Sequence, residues 1–192
     1  FQEADVASPA STQALAAFAA SQFGGIDLLV NNAAIFGEMK QASLLDVDWD
    51  YYQRFMNVNM NGVLLCTRAC APAMRKRGGG AIVNQSSTAS WMGVGYYGLA
   101  KLGVNGLTQC LARELGPAKI RVNAIAPGYF ATAITTATRA NPVTNQRVLD
   151  HIAANRWGDV ADLMGAVVFL ASPASDYVNG TTLVVDGGYL VR

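Results

Sequence analysis

Short runs of apolar residues alternate with longer segments in which apolar positions recur at helical spacing. The short runs predict buried strands. These predicted strands are residues 1–6, 26–31, 81–84, 120–125 and 182–185. The longer segments predict helices over residues 9–23, 46–57, 59–77, 95–115 and 159–171. Strands that alternate with helices favour an α/β fold, in which a doubly wound parallel sheet carries helices on both faces.

Local signals support several of these boundaries. Ser8-Pro9 is typical of a helix start, and Gly24-Gly25 is typical of a helix end. Residues 129–156 are polar and weakly periodic, which predicts a long loop with a helical part of the kind that covers a site. No repeat, low-complexity tract or linker divides the chain, so residues 1–192 are expected to form a single domain, or part of one.

Composition narrows the possible functions. The chain has 192 residues, is 52% hydrophobic and carries a net charge of +1, so no basic surface points to nucleic acid. The single histidine excludes a two-histidine zinc site, and we expect no metal. The three cysteines (Cys66, Cys70 and Cys110) do not form a disulfide framework. We find neither a targeting segment nor an apolar run long enough to span a membrane, and we expect a cytoplasmic protein.

The sharpest chemical signal is Tyr97-Gly98-Leu99-Ala100-Lys101, which lies on a predicted helix. Residues four apart lie on the same helix face, so the phenol and the ammonium are expected to be neighbours. A nearby positive charge favours the phenolate and lowers the tyrosine pKa. Such a tyrosine can donate or accept a proton near neutral pH, as general acid–base catalysis requires.

Other polar motifs follow the predicted strands. Ser86 and Ser87 come directly after residues 81–84, and Asn31-Asn32 ends the preceding strand. In a doubly wound sheet, ligands bind beyond the carboxyl ends of the strands. We therefore expect these side chains to lie near Tyr97.

In this order the motifs resemble those of the short-chain dehydrogenase/reductase family, and the resemblance extends over the whole chain. The motifs that carry it are Asp5-Val6, Asn31-Asn32-Ala33-Ala34, Asn59, Ser86-Ser87, Tyr97-x-x-x-Lys101, Pro127-Gly128-x-x-x-Thr132 and Val185-Asp186-Gly187-Gly188. The resemblance implies a Rossmann-like fold and hydride transfer between a nicotinamide cofactor, NAD or NADP, and a secondary alcohol or ketone.

The resemblance also implies the catalytic roles. Tyr97 is expected to act as general acid in reduction and as general base in oxidation. Lys101 is expected to lower the pKa of Tyr97 and to bind the nicotinamide ribose. Ser87 is expected to hold the substrate oxygen, with Ser86 as the alternative serine. Asn59 is expected to fix a water molecule in a proton relay through Lys101.

Further positions are implied in cofactor binding. Asp5 and Val6 are expected at the adenine, and Asn32 and Ala33 on the adenosine side. Phe130 and Thr132, which follow Pro127-Gly128, are expected beside the nicotinamide amide, and Tyr97 and Lys101 contact the cofactor as well. For Asn31 two interpretations remain open: it contacts the cofactor, or it braces the sheet.

A second glycine pattern, Gly93-Val94-Gly95-Tyr96-Tyr97-Gly98, matches the G-x-G-x-x-G dinucleotide fingerprint. That fingerprint needs its first glycine in the turn directly after a strand. Here residues 87–92 separate Gly93 from the predicted strand, so we reject this segment as a phosphate-binding loop. The phosphate loop and the residue that selects NAD or NADP are not found elsewhere in the chain. We therefore expect that the first two β-α units of the family are lacking and that residues 26–31 form an exposed sheet edge.

The substrate is less closely defined. Residues 123–132, 156–158 and 169–189 resemble bacterial gluconate and deoxygluconate dehydrogenases, which implies a sugar acid or polyol. Arg139, Arg147 and Arg156 are candidates to pair with a substrate carboxylate. The alternatives are a 3-oxoacyl carrier-protein reductase, a hydroxysteroid-type dehydrogenase, and an inactive fragment or non-catalytic subunit. The resemblance also implies a homotetramer.

Overall fold

A computed structural model describes residues 1–37 and 39–191. Within these described ranges, four strands form one parallel sheet in the order β1-β2-β3-β4. They are β1 (Leu28–Asn31), β2 (Gly80–Gln85), β3 (Ile120–Pro127) and β4 (Thr182–Val185). The helices are α1 (Pro9–Phe23), α2 (Trp49–Met56), α3 (Gly62–Arg77), α4 (Gly95–Leu115), α5 (Thr136–Ala140), α6 (Pro142–His151) and α7 (Ala161–Ala171). This architecture confirms the predicted α/β fold.

Helices cover both faces of the sheet. Ile82 of β2 contributes to a cluster with buried residues of α1, α3 and α4, among them Ala16, Met74 and Leu111. The next residue, Val83, points to the opposite face because side chains alternate along a strand. There it packs with Leu170 of α7. Burying one such apolar side chain stabilises the fold by roughly 1.5–3 kcal/mol.

Residues 1–6 do not form the predicted strand. The chain turns instead: the Ala7 amide donates to Asp5 Oδ1 at 2.9 Å, and the Ser8 amide donates to the Asp5 carbonyl at 3.1 Å. No described strand pairs with this segment, so nothing holds it in a ladder. Ser8 then caps α1, whose bounds match the prediction.

The predicted break between the helices at 46–57 and 59–77 is also wrong. A π-helical segment, Asn57–Asn61, joins α2 to α3 without interruption. The three asparagines of this segment have low helix propensity, which is why the pattern suggests a boundary there. π-Helical turns occur frequently at functional sites, and this one carries Asn59.

The loop over residues 129–156 contains α5 and α6, in agreement with the predicted helical part. At the other side of the sheet β1 is an edge strand, as expected. Its Leu28 and Val30 side chains are 45% and 47% exposed. In the described residues no helix is both long and apolar enough to cross a membrane.

Candidate active site

The candidate site lies at the carboxyl edge of the sheet. The segments that follow β1, β2 and β3 meet there, beside the N-terminal half of α4. A 3₁₀ turn, Thr88–Trp91, connects the end of β2 to α4 and packs closely on that helix. Gly98 permits this approach, because a Cβ at that position would lie 2.7 Å from the Ala89 carbonyl oxygen.

Lys101 is the most deeply buried charged group of the site, with 3% of its surface exposed. Its Nζ donates to the Gln85 carbonyl at the end of β2, at 2.7 Å. Burial penalises the charged ammonium and lowers the pKa of Lys101 to about 8. An ammonium has three donors, so a buried lysine of this kind can hold further oxygen ligands in place.

Tyr97 lies one turn before Lys101, whose Nζ is 6.0 Å from the phenol ring centroid. Burial raises the pKa of Tyr97, and the neighbouring Ser87 hydroxyl acts in the opposite direction. The expectation that Lys101 lowers the pKa of Tyr97 is therefore not met in this arrangement. Desolvation is the dominant influence, and the lysine directs its hydrogen bond to the Gln85 carbonyl.

The two serines after β2 have different environments. Ser86 is 1% exposed, and its hydroxyl donates to the Lys101 carbonyl at 3.3 Å. Ser87 is half-buried, caps the 3₁₀ turn by accepting from the Ala89 amide at 3.2 Å, and lies beside the phenol of Tyr97. The structure thus brings Ser87 to Tyr97, whereas Ser86 binds the backbone.

Asn59 is 1% exposed and clamps the loop that follows β1. Its Oδ1 accepts from the Ile35 amide at 2.7 Å, and its Nδ2 donates to the Ile35 carbonyl at 2.9 Å. The next residue, Phe36, lies 5.1 Å from the Tyr97 ring, centroid to centroid. Asn59 therefore shapes the wall opposite Tyr97, while its role in a water relay stays a prediction.

The structure favours one of the two interpretations of Asn31. Its Nδ2 donates to Asn84 Oδ1 at 2.8 Å, and Asn84 Nδ2 donates to Thr108 Oγ1 at 2.9 Å. All three side chains are buried, and they join β1, β2 and α4. Asn31 therefore braces the sheet.

The residues predicted at the adenosine side have open surroundings. Asn32 and Ala33 are exposed directly beyond β1. Asp5 is exposed and caps its own turn, whereas Val6 packs against Gly62 at the start of α3. These positions are accessible to a ligand at the sheet edge, and their role as adenine contacts stays a prediction.

The segment after β3 is held tightly. Pro127 is buried, and the Gly128 amide donates to the Val185 carbonyl at 3.0 Å. A Cβ on Gly128 would lie 2.6 Å from Asp186 Cβ, so only glycine fits. Phe130 is 8% exposed and packs against Gly158, which places its ring largely inside the protein.

Thr132 begins the segment that approaches the site from β3. Its carbonyl accepts from Thr135 Oγ1 at 3.1 Å and from Arg139 Nη2 at 3.1 Å. Two residues later, the Ile134 side chain reaches Gly37, at 3.8 Å from a Cβ placed there. Residues 132–139 therefore contact the loop after β1 across the sheet edge.

The three candidate arginines differ in their partners. Arg156 forms a bidentate pair with Asp162 at 2.7 and 3.0 Å. Arg147 is exposed and lies near the Tyr129 phenol. Arg139 is half-buried, and its Nε is buried without a hydrogen-bond partner among the described residues. Arg139 thus has one donor without a partner among the described residues, whereas Arg156 is already neutralised.

Sequence reasoning missed two connections around the site. The Tyr96 hydroxyl donates to the Lys40 carbonyl, and its ring packs edge-on against Phe55 at 4.7 Å. Asn105 binds Ser90. The signal for Asn105 was present, since a polar residue four positions after Lys101 continues the same helix face.

Rejection of the second glycine pattern is confirmed. β2 ends at Gln85, and the 3₁₀ turn Thr88–Trp91 lies between it and Gly93. Gly93 and Gly95 have φ values of 64° and 58° and form the entry to α4. Glycine tolerates these left-handed conformations without steric cost.

Comparisons with known proteins agree with these features. The family model described as enoyl-(acyl carrier protein) reductase matches residues 1–190. An uncharacterized oxidoreductase of Mycobacterium tuberculosis is 54% identical over 189 residues, which are 98% of this chain and 75% of that protein. The 2-dehydro-3-deoxy-D-gluconate 5-dehydrogenase of Escherichia coli is 45% identical over 178 residues, 91% of this chain and 69% of the relative.

A solved structure is similar over the same region. The gluconate 5-dehydrogenase of Burkholderia cenocepacia, in complex with NADP and tartrate, superposes with a TM-score of 0.91 at 37% identity. The match covers 98% of this chain and 74% of that one.

Proposed function

This chain belongs to the short-chain dehydrogenase/reductase family, and we propose that it oxidises a secondary hydroxyl of a sugar acid with NAD or NADP, using Tyr97 as the proton acceptor. The observation that carries the proposal is the position of Tyr97, Ser87 and Lys101 together at the carboxyl edge of a parallel sheet. Ligands bind at this edge in folds of this kind.

The donor set fits a nicotinamide cofactor. The buried Lys101 ammonium and the Tyr97 phenol suit the hydroxyls of a ribose, and Asn32 and Ala33 leave the neighbouring surface open. Thr132 and Phe130 line the approach to the nicotinamide amide in this proposal. The bound cofactor supplies the carbon that accepts or donates the hydride.

The chain supplies proton transfer and positioning. Ser87 holds the substrate oxygen, and Tyr97 removes its proton in oxidation or returns it in reduction. Burial raises the pKa of Tyr97, so the phenolate that oxidation needs forms at alkaline pH. We therefore expect oxidation to accelerate as pH rises and reduction to be favoured at lower pH.

Two lines of support favour a sugar acid. Relatives named 2-dehydro-3-deoxy-D-gluconate 5-dehydrogenase from three bacteria are 42–45% identical to this chain. Arg139 lies on the segment that approaches the site, and its buried Nε has no partner among the described residues. We assign Arg139 to the substrate carboxylate, since charge-assisted bonds from arginine suit that group.

An acyl-thioester reductase is the second candidate, favoured by the description of the family model. A substrate panel distinguishes the two. Initial rates at 340 nm are measured with NAD and with NADP for oxidation of gluconate, 2-deoxygluconate and a neutral polyol, and with NADH and with NADPH for reduction of a 3-oxoacyl thioester. The proposal predicts the highest kcat/KM on a sugar acid. Preference for the thioester contradicts it, and failure to bind NAD(P)H in a fluorescence titration favours a non-catalytic subunit.

We also propose that the protein is a cytoplasmic homotetramer. Leu99 and Leu102 of α4 are 41% and 51% exposed, and Val184 of β4 is 37% exposed, which supports self-association through α4 and the last strand. The cysteines are free thiols, as is usual in a reducing compartment. Light scattering of the purified protein measures the assembly.

A further inference from the structure

One face of α4 carries three polar residues spaced by one turn each: Tyr97, Lys101 and Asn105. The proposed function uses the first two. Asn105 is 8% exposed and lies one turn beyond Lys101, away from the substrate edge. Its amide nitrogen and amide oxygen both have hydrogen-bond partners, and the partner of the nitrogen leads back toward the site.

A continuous set of hydrogen bonds connects Asn105 to residues 87–91, which we call the serine turn. Asn105 Nδ2 donates to Ser90 Oγ at 3.0 Å, and Ser90 Oγ donates to the Ser87 carbonyl at 2.8 Å. The Ser90 amide donates to the same carbonyl at 3.1 Å. On its other side, Asn105 Oδ1 accepts from Thr182 Oγ1 of β4 at 3.2 Å.

This arrangement fixes Ser87 relative to the helix that carries Tyr97. Ser87 lies between β2 and the 3₁₀ turn, and its own hydroxyl accepts from the Ala89 amide at 3.2 Å. The turn also packs against α4, and the close approach of Gly98 to Ala89 is part of that packing. Ser90 and Asn105 add directional bonds, which fix orientation as well as distance.

We propose that Asn105, acting through Ser90, is a positioning residue that sets the place of the Ser87 hydroxyl beside the Tyr97 phenol. The inference rests on the proposed function, in which both hydroxyls bind one substrate oxygen. A displacement of about 1 Å in a catalytic group can reduce a rate by roughly 100-fold. Asn105 and Ser90 therefore control turnover, although neither side chain touches substrate or cofactor.

The role has a consequence for pH dependence. The Ser87 hydroxyl lowers the pKa of Tyr97 against the effect of burial, and Lys101 is the charged group beside the same ring. If Ser87 moves away, this contribution is lost and the pKa of Tyr97 rises. The alkaline rise of the oxidation rate then shifts to higher pH, whereas simple destabilisation of the fold lowers the rate without this shift.

The test uses Ser90→Ala, Asn105→Leu and the double variant. Thr108→Val is the matched control, because it removes a buried hydrogen bond of the same helix without contact to the serine turn. We expect each single variant to lower kcat by about 10- to 100-fold. In each single variant the KM for the cofactor should stay within about twofold of that of the unaltered protein. The pH profile of the oxidation rate should shift to higher pH. The double variant should match the worse single one, since both break one connection.

Amide hydrogen exchange provides a readout that does not depend on activity. Ser90→Ala and Asn105→Leu should each accelerate amide exchange in residues 87–91, and Thr108→Val should not. Unchanged exchange there, a pH profile like that of the unaltered protein, or strictly additive losses in the double variant would overturn the proposal. If the unaltered protein oxidises none of the substrates tested, the proposed function fails, and the exchange data alone decide the positioning role.

Discussion

Replacement of Lys101 by methionine should change how the stability of the protein depends on pH. The lysine is 3% exposed, and burial lowers its pKa from 10.5 to about 8. At 1.36 kcal/mol per pKa unit, this corresponds to about 3 kcal/mol of cost for keeping the ammonium charged inside the fold. Methionine has a similar length and carries no charge.

The sign follows from proton binding. Between pH 8 and 10.5 the unfolded chain holds a proton on Lys101 that the folded chain has released, so this residue makes the protein more stable as pH rises. Cys70, whose pKa is raised to about 11, acts in the opposite direction above pH 9. The contribution of such other groups cancels when the unfolding free energy of the unaltered protein is subtracted from that of Lys101→Met.

We expect this difference to fall by about 3 kcal/mol, in the direction that disfavours the variant, between pH 7 and pH 10.5. At pH 7 the stability that Lys101→Met gains is smaller than the cost of burying the ammonium, because the Gln85 carbonyl loses its partner at a cost of about 1–3 kcal/mol. Urea unfolding followed by circular dichroism measures both proteins at each pH. Lys76→Met, on the exposed end of α3, is the control and should show no trend.

A difference between Lys101→Met and the unaltered protein that stays constant within about 0.5 kcal/mol over this range would refute the reasoning, since that is the scatter of ordinary surface substitutions. It would mean that Lys101 remains charged in the folded protein throughout. In that case the ammonium is better solvated at the sheet edge than its burial indicates.

Three further predictions follow from single residues. Arg139→Gln should raise KM for a sugar acid by about 10-fold, as loss of a charge-assisted bond implies, and leave kcat/KM for a neutral polyol unchanged in the same 340 nm assay. Gly128→Ala should lower the melting temperature in a thermal scan, because its Cβ would lie 2.6 Å from Asp186 Cβ; a melting temperature equal to that of the unaltered protein or above contradicts this. Asn84→Leu should cost about 2–5 kcal/mol in urea unfolding, because it leaves two buried partners unpaired, and a loss below 1 kcal/mol contradicts the bracing role.

The sequence was sufficient to predict elements whose pattern is repeated or bounded. α1 has the predicted bounds, with Ser8 as its cap, and β4 ends where its apolar run ends. The spacing of Tyr97 and Lys101 placed both on one helix face. These features depend on local rules of periodicity and capping, which a single sequence contains.

Other features depend on contacts between distant segments. Residues 1–6 have a strand-like composition but no described strand beside them, so propensity alone misled the prediction. The pKa of Tyr97 depends on how deeply the fold buries it, which spacing cannot give. The same holds for Ser86 and Ser87, which are neighbours in sequence but differ in what their hydroxyls meet.

The central claim is that Tyr97 transfers the proton in hydride transfer at this site. The most direct test measures Tyr97→Phe beside Tyr177→Phe, a change at a fully exposed tyrosine. We predict that Tyr97→Phe lowers kcat by at least about 100-fold while NAD(P)H affinity, read by nicotinamide fluorescence, stays within about threefold. Tyr177→Phe should change neither. Turnover by Tyr97→Phe at the rate of the unaltered protein would contradict the account.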